Sequence, residues 1–75
     1  MTDEEFMEWC ELPHDYENFE DYVSDVRRWL TLSSWKYSGK LLDYVMEVHF
    51  WQIKEGYERG DTVGDTGAEA GYFCG

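Results

Sequence analysis

Six side chains, Phe19, Tyr22, Val23, Val26, Trp29 and Leu30, recur at the 3, 4 and 7 spacing of a helix that is buried along one side. At about 100° per residue they occupy roughly a third of the circumference, and Glu17, Glu20, Asp21 and Asp25 fall on the remainder. Asp15 or Asn18 supplies the N-cap. A helix patterned this way is stable only against a surface that covers its apolar stripe. The 75 residues make one domain, and a chain this short buries only about 60% of its unfolded surface. With 43% hydrophobic and 19% aromatic residues, the chain still has the material for a core despite its net charge of −11.

Two further segments read as helix. Thr2-Asp3-Glu4-Glu5 is a capping box, in which the Thr hydroxyl and the Glu carboxylate satisfy backbone donors reciprocally. Phe6, Trp9 and Cys10 follow on one face, and Pro13 ends the segment by pushing Leu12 out of helical geometry. Residues 31 to 39 read as a loop carrying Trp35 and Tyr37. From Lys40 to Glu55 the chain is mostly apolar; as a helix its polar residues Lys40, Asp43, Glu47 and Lys54 make one narrow stripe, so most of its circumference is expected to be covered. Tyr44, Met46, Val48 and Phe50 also alternate with Glu47 and His49 as a strand does, but sixteen residues without a breaker exceed a usual strand. After Gly56 the glycines Gly60, Gly64, Gly67, Gly71 and Gly75 predict a tail that is flexible or folded back, with Tyr72, Phe73 and Cys74 near its end. The expectation is a mainly α fold of about three helices over residues 1–57 with a Gly-rich acidic tail over 58–75. The alternative is an α+β fold with 43–53 as a strand. Trp9, Phe19, Tyr22, Trp29, Tyr44, Phe50 and Trp51 are expected in the core, and Tyr16, Trp35, Tyr37 and Tyr57 at the surface.

No run of 18 uncharged apolar residues is present, and the N-terminus lacks the basic and apolar regions of a signal peptide, so the expectation is a cytoplasmic protein without membrane contact. Two cysteines, Cys10 and Cys74, are too few for a disulfide framework and are compatible with reduced thiols. Cys10, His14, His49 and Cys74 lack the paired knuckles of a zinc site; His49 reads instead as a core-edge histidine with one hydrogen bond, and His14 as a turn residue after Pro13. Asp65-Thr66-Gly67-Ala68 resembles the catalytic loop of retroviral-type aspartic proteases. That loop follows an apolar strand and precedes most of an all-β domain, whereas Gly64 precedes it here and eight residues follow Gly67. Gly60 to Gly67 holds two Asp and no Lys, so it repels phosphate. The sequence predicts no enzyme, no metal and no cofactor, and its six scattered basic residues disfavour direct nucleic-acid binding.

Charge is segregated. Residues 1–26 carry ten acids and no Lys or Arg, residues 27–60 carry all six basic residues against four acids, and the tail adds three acids. Helix-start preferences account for Asp3, Glu4, Glu5, Glu17, Glu20 and Asp21. Six like-charge pairs at helical spacing nevertheless cost about 1 to 3 kcal/mol in all, and a solubility requirement would be met by mixed signs. Glu17, Asp21 and Asp25 are expected to recur every ~6 Å along the helix, of the order of the spacing of phosphates along a nucleic-acid strand. In size, acidity and aromatic content, with the acidic run 3 to 25 as its feature, the chain resembles small phage proteins that mimic nucleic acid to block host defence, including anti-CRISPR and anti-restriction inhibitors. The resemblance implies a non-enzymatic inhibitor acting in the host cytoplasm on a basic nucleic-acid-binding protein or ribonucleoprotein complex. From the charge pattern, Glu8, Glu11, Asp15, Glu17, Glu20, Asp21 and Asp25 are the candidate partner-binding acids, with Tyr16, Trp35 and Tyr37 as apolar anchors. The alternative is an interaction or dimerisation module that uses an aromatic surface, its acids serving only solubility; monomer and homodimer are both compatible with the sequence.

Overall fold

The computed structural model describes residues 2–74, with side chains described through residue 72. Five helices follow in order, α1 (Asp3–Trp9), α2 (Phe19–Leu32), α3 (Gly39–Val48), α4 (Phe50–Arg59) and α5 (Val63–Cys74), and no strand occurs among the described residues. The fold is therefore mainly α, as the periodicity predicts, with two helices more than expected.

The capping box at Thr2 and Glu5 forms with both reciprocal bonds. Asn18 caps α2, its Oδ1 accepting the Asp21 N–H at 3.0 Å. The apolar stripe of α2 places Tyr22, Val26, Trp29 and Leu30 in the core, and α2 packs on all four other helices. It runs two residues further than the predicted loop boundary, to Leu32, and ends where Ser33 turns its hydroxyl onto the Leu30 carbonyl at 2.9 Å.

The segment 40–55 is helical but divided. His49, at φ −103° and ψ 20°, closes α3 through its N–H on the Val45 carbonyl and opens α4 by accepting from Ile53 N–H. Its Nδ1 pairs with Gln52 Oε1 at 2.7 Å and the residue is half-buried, as read from sequence. Only one face of this segment is covered. Leu42, Val45, Met46 and Ile53 are buried, but Tyr44, Phe50 and Trp51, expected in the core, are exposed together with Leu41 and Val48. The physical reason is size: α2, α4 and α5 cover one side of α3, and no further element remains to cover the other.

The chain after Gly56 departs most from expectation. Gly60, at φ 78°, ends α4 in a Schellman arrangement, with the Gly60 N–H on the Tyr57 carbonyl and the Asp61 N–H on the Gly56 carbonyl. Thr62 then accepts from Asp65 N–H through its hydroxyl, and α5 starts. Gly64, Gly67 and Gly71 read as breakers in a linear scan, yet their spacing of 3 and 4 puts them on one helical face. That face is a slot for neighbouring groups. A Cβ on Gly67 would lie 2.4 Å from Trp29 Cε3, one on Gly71 2.8 Å from Trp35 Cζ3, and one on Gly64 3.1 Å from the Cys10 carbonyl oxygen. Val63, Thr66 and Ala70 are fully buried beside them. The side chains of Phe73 and Cys74 lie outside the described residues; Cys10 is a buried free thiol.

Candidate functional site

Pro13 and the residues around it carry the chain from the end of α1 back to the start of α2. Five contacts hold this return. His14 stacks on Trp9 with ring centroids 3.8 Å apart and donates from Nε2 to the Trp9 carbonyl at 2.7 Å. Tyr57 on α4 donates its hydroxyl to the Tyr16 carbonyl at 3.2 Å, and Tyr16 packs edge-on against Tyr22 at 5.2 Å. Tyr16 finally donates to Asp25 Oδ2 at 2.6 Å. A tyrosine expected as a surface anchor thus serves first to fasten the loop onto α2.

The fastened loop and the first two turns of α2 enclose an open concavity of about 490 Å³ lined by Asp15, Tyr16, Glu17, Asp21, Ser24 and Asp25. Five of the ten predicted site residues meet here; Ser24 is an addition, placed three residues beyond Asp21 on the polar side of the amphipathic pattern. A second concavity of about 340 Å³ lies across Asp15 and Tyr16 and reaches His14, Tyr22, Tyr57, Glu58, Gly60 and Asp61. Glu8 and Glu11 are exposed at the end of α1, and Glu20 in the first turn of α2. Because Asn18 is the N-cap, Glu17 precedes α2. Only Asp21 and Asp25 keep the helical spacing, so the expected row of three is a pair on the helix with a loop carboxylate beside it.

The other two anchors are elsewhere. Trp35 and Tyr37 sit in the loop after α2, at the opposite end of a 14-residue helix, about 20 Å long at 1.5 Å per residue. Tyr37 is buried rather than exposed, its hydroxyl donating to the Gly71 carbonyl at 2.9 Å; closure of the loop onto α5 requires that burial. Trp35 remains 41% exposed while one edge of its ring packs over Gly71. Neither joins the acidic concavity.

The ion pairs among the described residues are Arg27 with Asp43, Arg28 with Asp3, and Arg59 with Asp61 and Glu69. None involves Glu8, Glu11, Asp15, Glu17, Glu20, Asp21 or Asp25. Burial is the main cause of the shifts in the neighbouring titratable groups, with the acids adding to it. The Cys10 thiol is pushed up to about 12 by burial, with Asp25 and Glu11 adding to the rise and Arg28 opposing it. Burial, and then donation to Asp25, raise the Tyr16 phenol well above the ordinary tyrosine value. The Tyr22 phenol is also raised by burial, against the opposing effect of its bond to Thr66.

Asp65 of the protease-like tetrapeptide is exposed in the first turn of α5, and Thr66 is buried with its Oγ1 2.6 Å from the Tyr22 hydroxyl. Among the described residues no three His, Cys, Asp or Glu side chains are grouped as a metal ion requires, and no helix is long and apolar enough to cross a membrane. Sequence reasoning missed the exposed apolar residues Leu41, Tyr44, Val48 and Trp51, although their 3, 4, 3 spacing was visible beside the buried set. No protein-family model matches the chain, and neither a curated protein nor a solved structure matches it.

Proposed function

We propose that the chain is a non-enzymatic acidic inhibitor that occupies the basic nucleic-acid-binding surface of a partner protein or ribonucleoprotein complex, its carboxylates taking the place of phosphates. One observation carries this reading: the seven candidate acids have no ion pair among the described residues, whereas Arg27, Arg28 and Arg59 pair with Asp43, Asp3, Asp61 and Glu69. Carboxylates left uncompensated around a concavity project a field that steers basic partners and falls off with salt. The phage anti-defence inhibitors that the chain resembles in size and charge would be the corresponding biological class.

The acids do not contribute alike. Asp25 holds Tyr16, and Glu11 lies beside Gly64 in the first turn of α5, where negative charge is favoured. Asp21 accepts from the Asn18 side-chain amide at 3.1 Å and so helps to cap α2, whereas Glu17 and Glu20 are exposed and carry the proposal with the least structural duty. Immobilised protein is expected to capture basic nucleic-acid-binding proteins from a host lysate and to release them early in a salt gradient. A double variant, Glu17→Lys with Glu20→Lys, should lose much of that capture while keeping its helical circular dichroism. Equal capture by the folded variant would defeat the reading.

A further inference from the structure

α3 is apolar on two adjacent faces. One buries Leu42, Val45 and Met46; the other turns Leu41, Tyr44 and Val48 to solvent, 51%, 54% and 44% exposed. At about 100° per residue these three lie within a sector of roughly 60°. Trp51, three residues past Val48 across the His49 joint, is 58% exposed. Along one border of the stripe run Lys40 near its start and Glu47 near its end, both exposed and neither in an ion pair among the described residues.

We propose that this stripe is an interface between two copies of the chain, with α3 packed antiparallel against its own copy about a two-fold axis beside Tyr44. A two-fold interface must be self-complementary, residue i meeting j while j meets i. The stripe has that property. Leu41 and Val48 lie on either side of Tyr44 at nearly equal distance along the helix, as do Lys40 and Glu47. Reversal of the helix therefore sets Leu41 against Val48 and brings Lys40 beside Glu47 of the second copy, twice over. A parallel arrangement makes neither pairing.

Charge and area both favour a second copy. The chain carries −11 overall, with ten acids in residues 1–26, so most of its surface repels another copy. From Lys40 to Lys54 the charges balance, with Lys40 and Lys54 against Asp43 and Glu47. The exposed parts of Leu41, Tyr44, Val48 and Trp51 amount to roughly 400 Å², taking about 150–250 Å² for a whole aromatic side chain. At the ~65% apolar share of homodimer interfaces, that corresponds to about 600 Å² per copy and ~1,200 Å² in total, the lower edge of specific interfaces. The interface is independent of the acidic concavity and of the function proposed for it.

Sedimentation equilibrium of the full chain tests the interface. The expected mass is twice 9.0 kDa at high concentration, falling reversibly to 9.0 kDa on dilution. Tyr44→Glu should give the monomer with unchanged helical circular dichroism. Lys40→Glu and Glu47→Lys should each weaken the dimer about tenfold, and the double exchange Lys40→Glu with Glu47→Lys should restore it. A wild-type mass of 9.0 kDa up to about 1 mM, a Tyr44→Glu dimer as stable as the wild type, or a double exchange no better than either single change would overturn the proposal.

Discussion

Tyr16 ties the acidic loop to the core of the molecule. A tyrosine in an acidic, aromatic loop suggests an exposed anchor, but its hydroxyl is committed to Asp25 and its ring to Tyr22. Burial, and Asp25 after it, raise the Cys10 thiol. These couplings make stability depend on pH at the alkaline end. Cys10 stands at about 12 in the folded chain against an ordinary value of 9.0, so the folded state holds its proton where the unfolded state releases it. The contribution is complete below pH 9.0 and is lost progressively as pH rises towards 12. While Cys10 is ionised only in the unfolded chain, the slope approaches −1.4 kcal/mol per pH unit, on the order of one proton's linkage. Tyr16, also raised, acts in the same direction. Urea denaturation at pH 7 and above pH 10 should show this loss, and Cys10→Ala should flatten its slope; a parallel dependence in the variant would refute the assignment to Cys10.

At the scale of elements, what was legible was periodicity against a single partner surface. The stripe on α2 and the Thr2 capping box needed nothing beyond local sequence, and both form as read. The segment 40–55 was legible as helix, but not its break at His49, since the cause is packing of two short helices on α2 and not a proline or glycine. The concavity was half legible: the acids of the loop and of α2 meet, whereas Trp35 and Tyr37 cannot, because α2 itself separates them. α5 was hidden because glycine is scored as a breaker wherever it stands, at about 1 kcal/mol relative to alanine. Here the tertiary contact outweighs propensity. Gly67→Ala should therefore destabilise the protein by about 1–3 kcal/mol, despite the better helix former, since its Cβ would meet the buried Trp29 ring at 2.4 Å. Thermal unfolding checks the sign, and a higher melting temperature for Gly67→Ala would mean that Trp29 yields easily.

The whole molecule sets a net charge of −11 on a body measuring 29 × 27 × 18 Å. Self-repulsion of this kind weakens as salt shortens the screening length from about 30 Å at 0.01 M to about 8 Å at 0.15 M. Folding stability should rise over that interval, while binding to a basic partner should weaken; a melting temperature that falls with added salt would show that the ion pairs of Arg27, Arg28 and Arg59, not the unpaired acids, dominate. The same contrast separates the two surfaces of the molecule, because an apolar α3 interface between like-charged chains is strengthened by the salt that loosens the acidic one.

The glycine slot on α5 also governs the order in which the chain can assemble. α2 has its neighbour α1 close in sequence, but the surface that covers Trp29 arrives some forty residues later, as with Tyr22 and Thr66. A helix so rich in glycine has little tendency to form before it docks. Folding then waits on a non-local closure whose entropy is spent before any contact rewards it. Once docked, α5 closes over Trp29 and Tyr22 and completes the core that the first half of the chain leaves open.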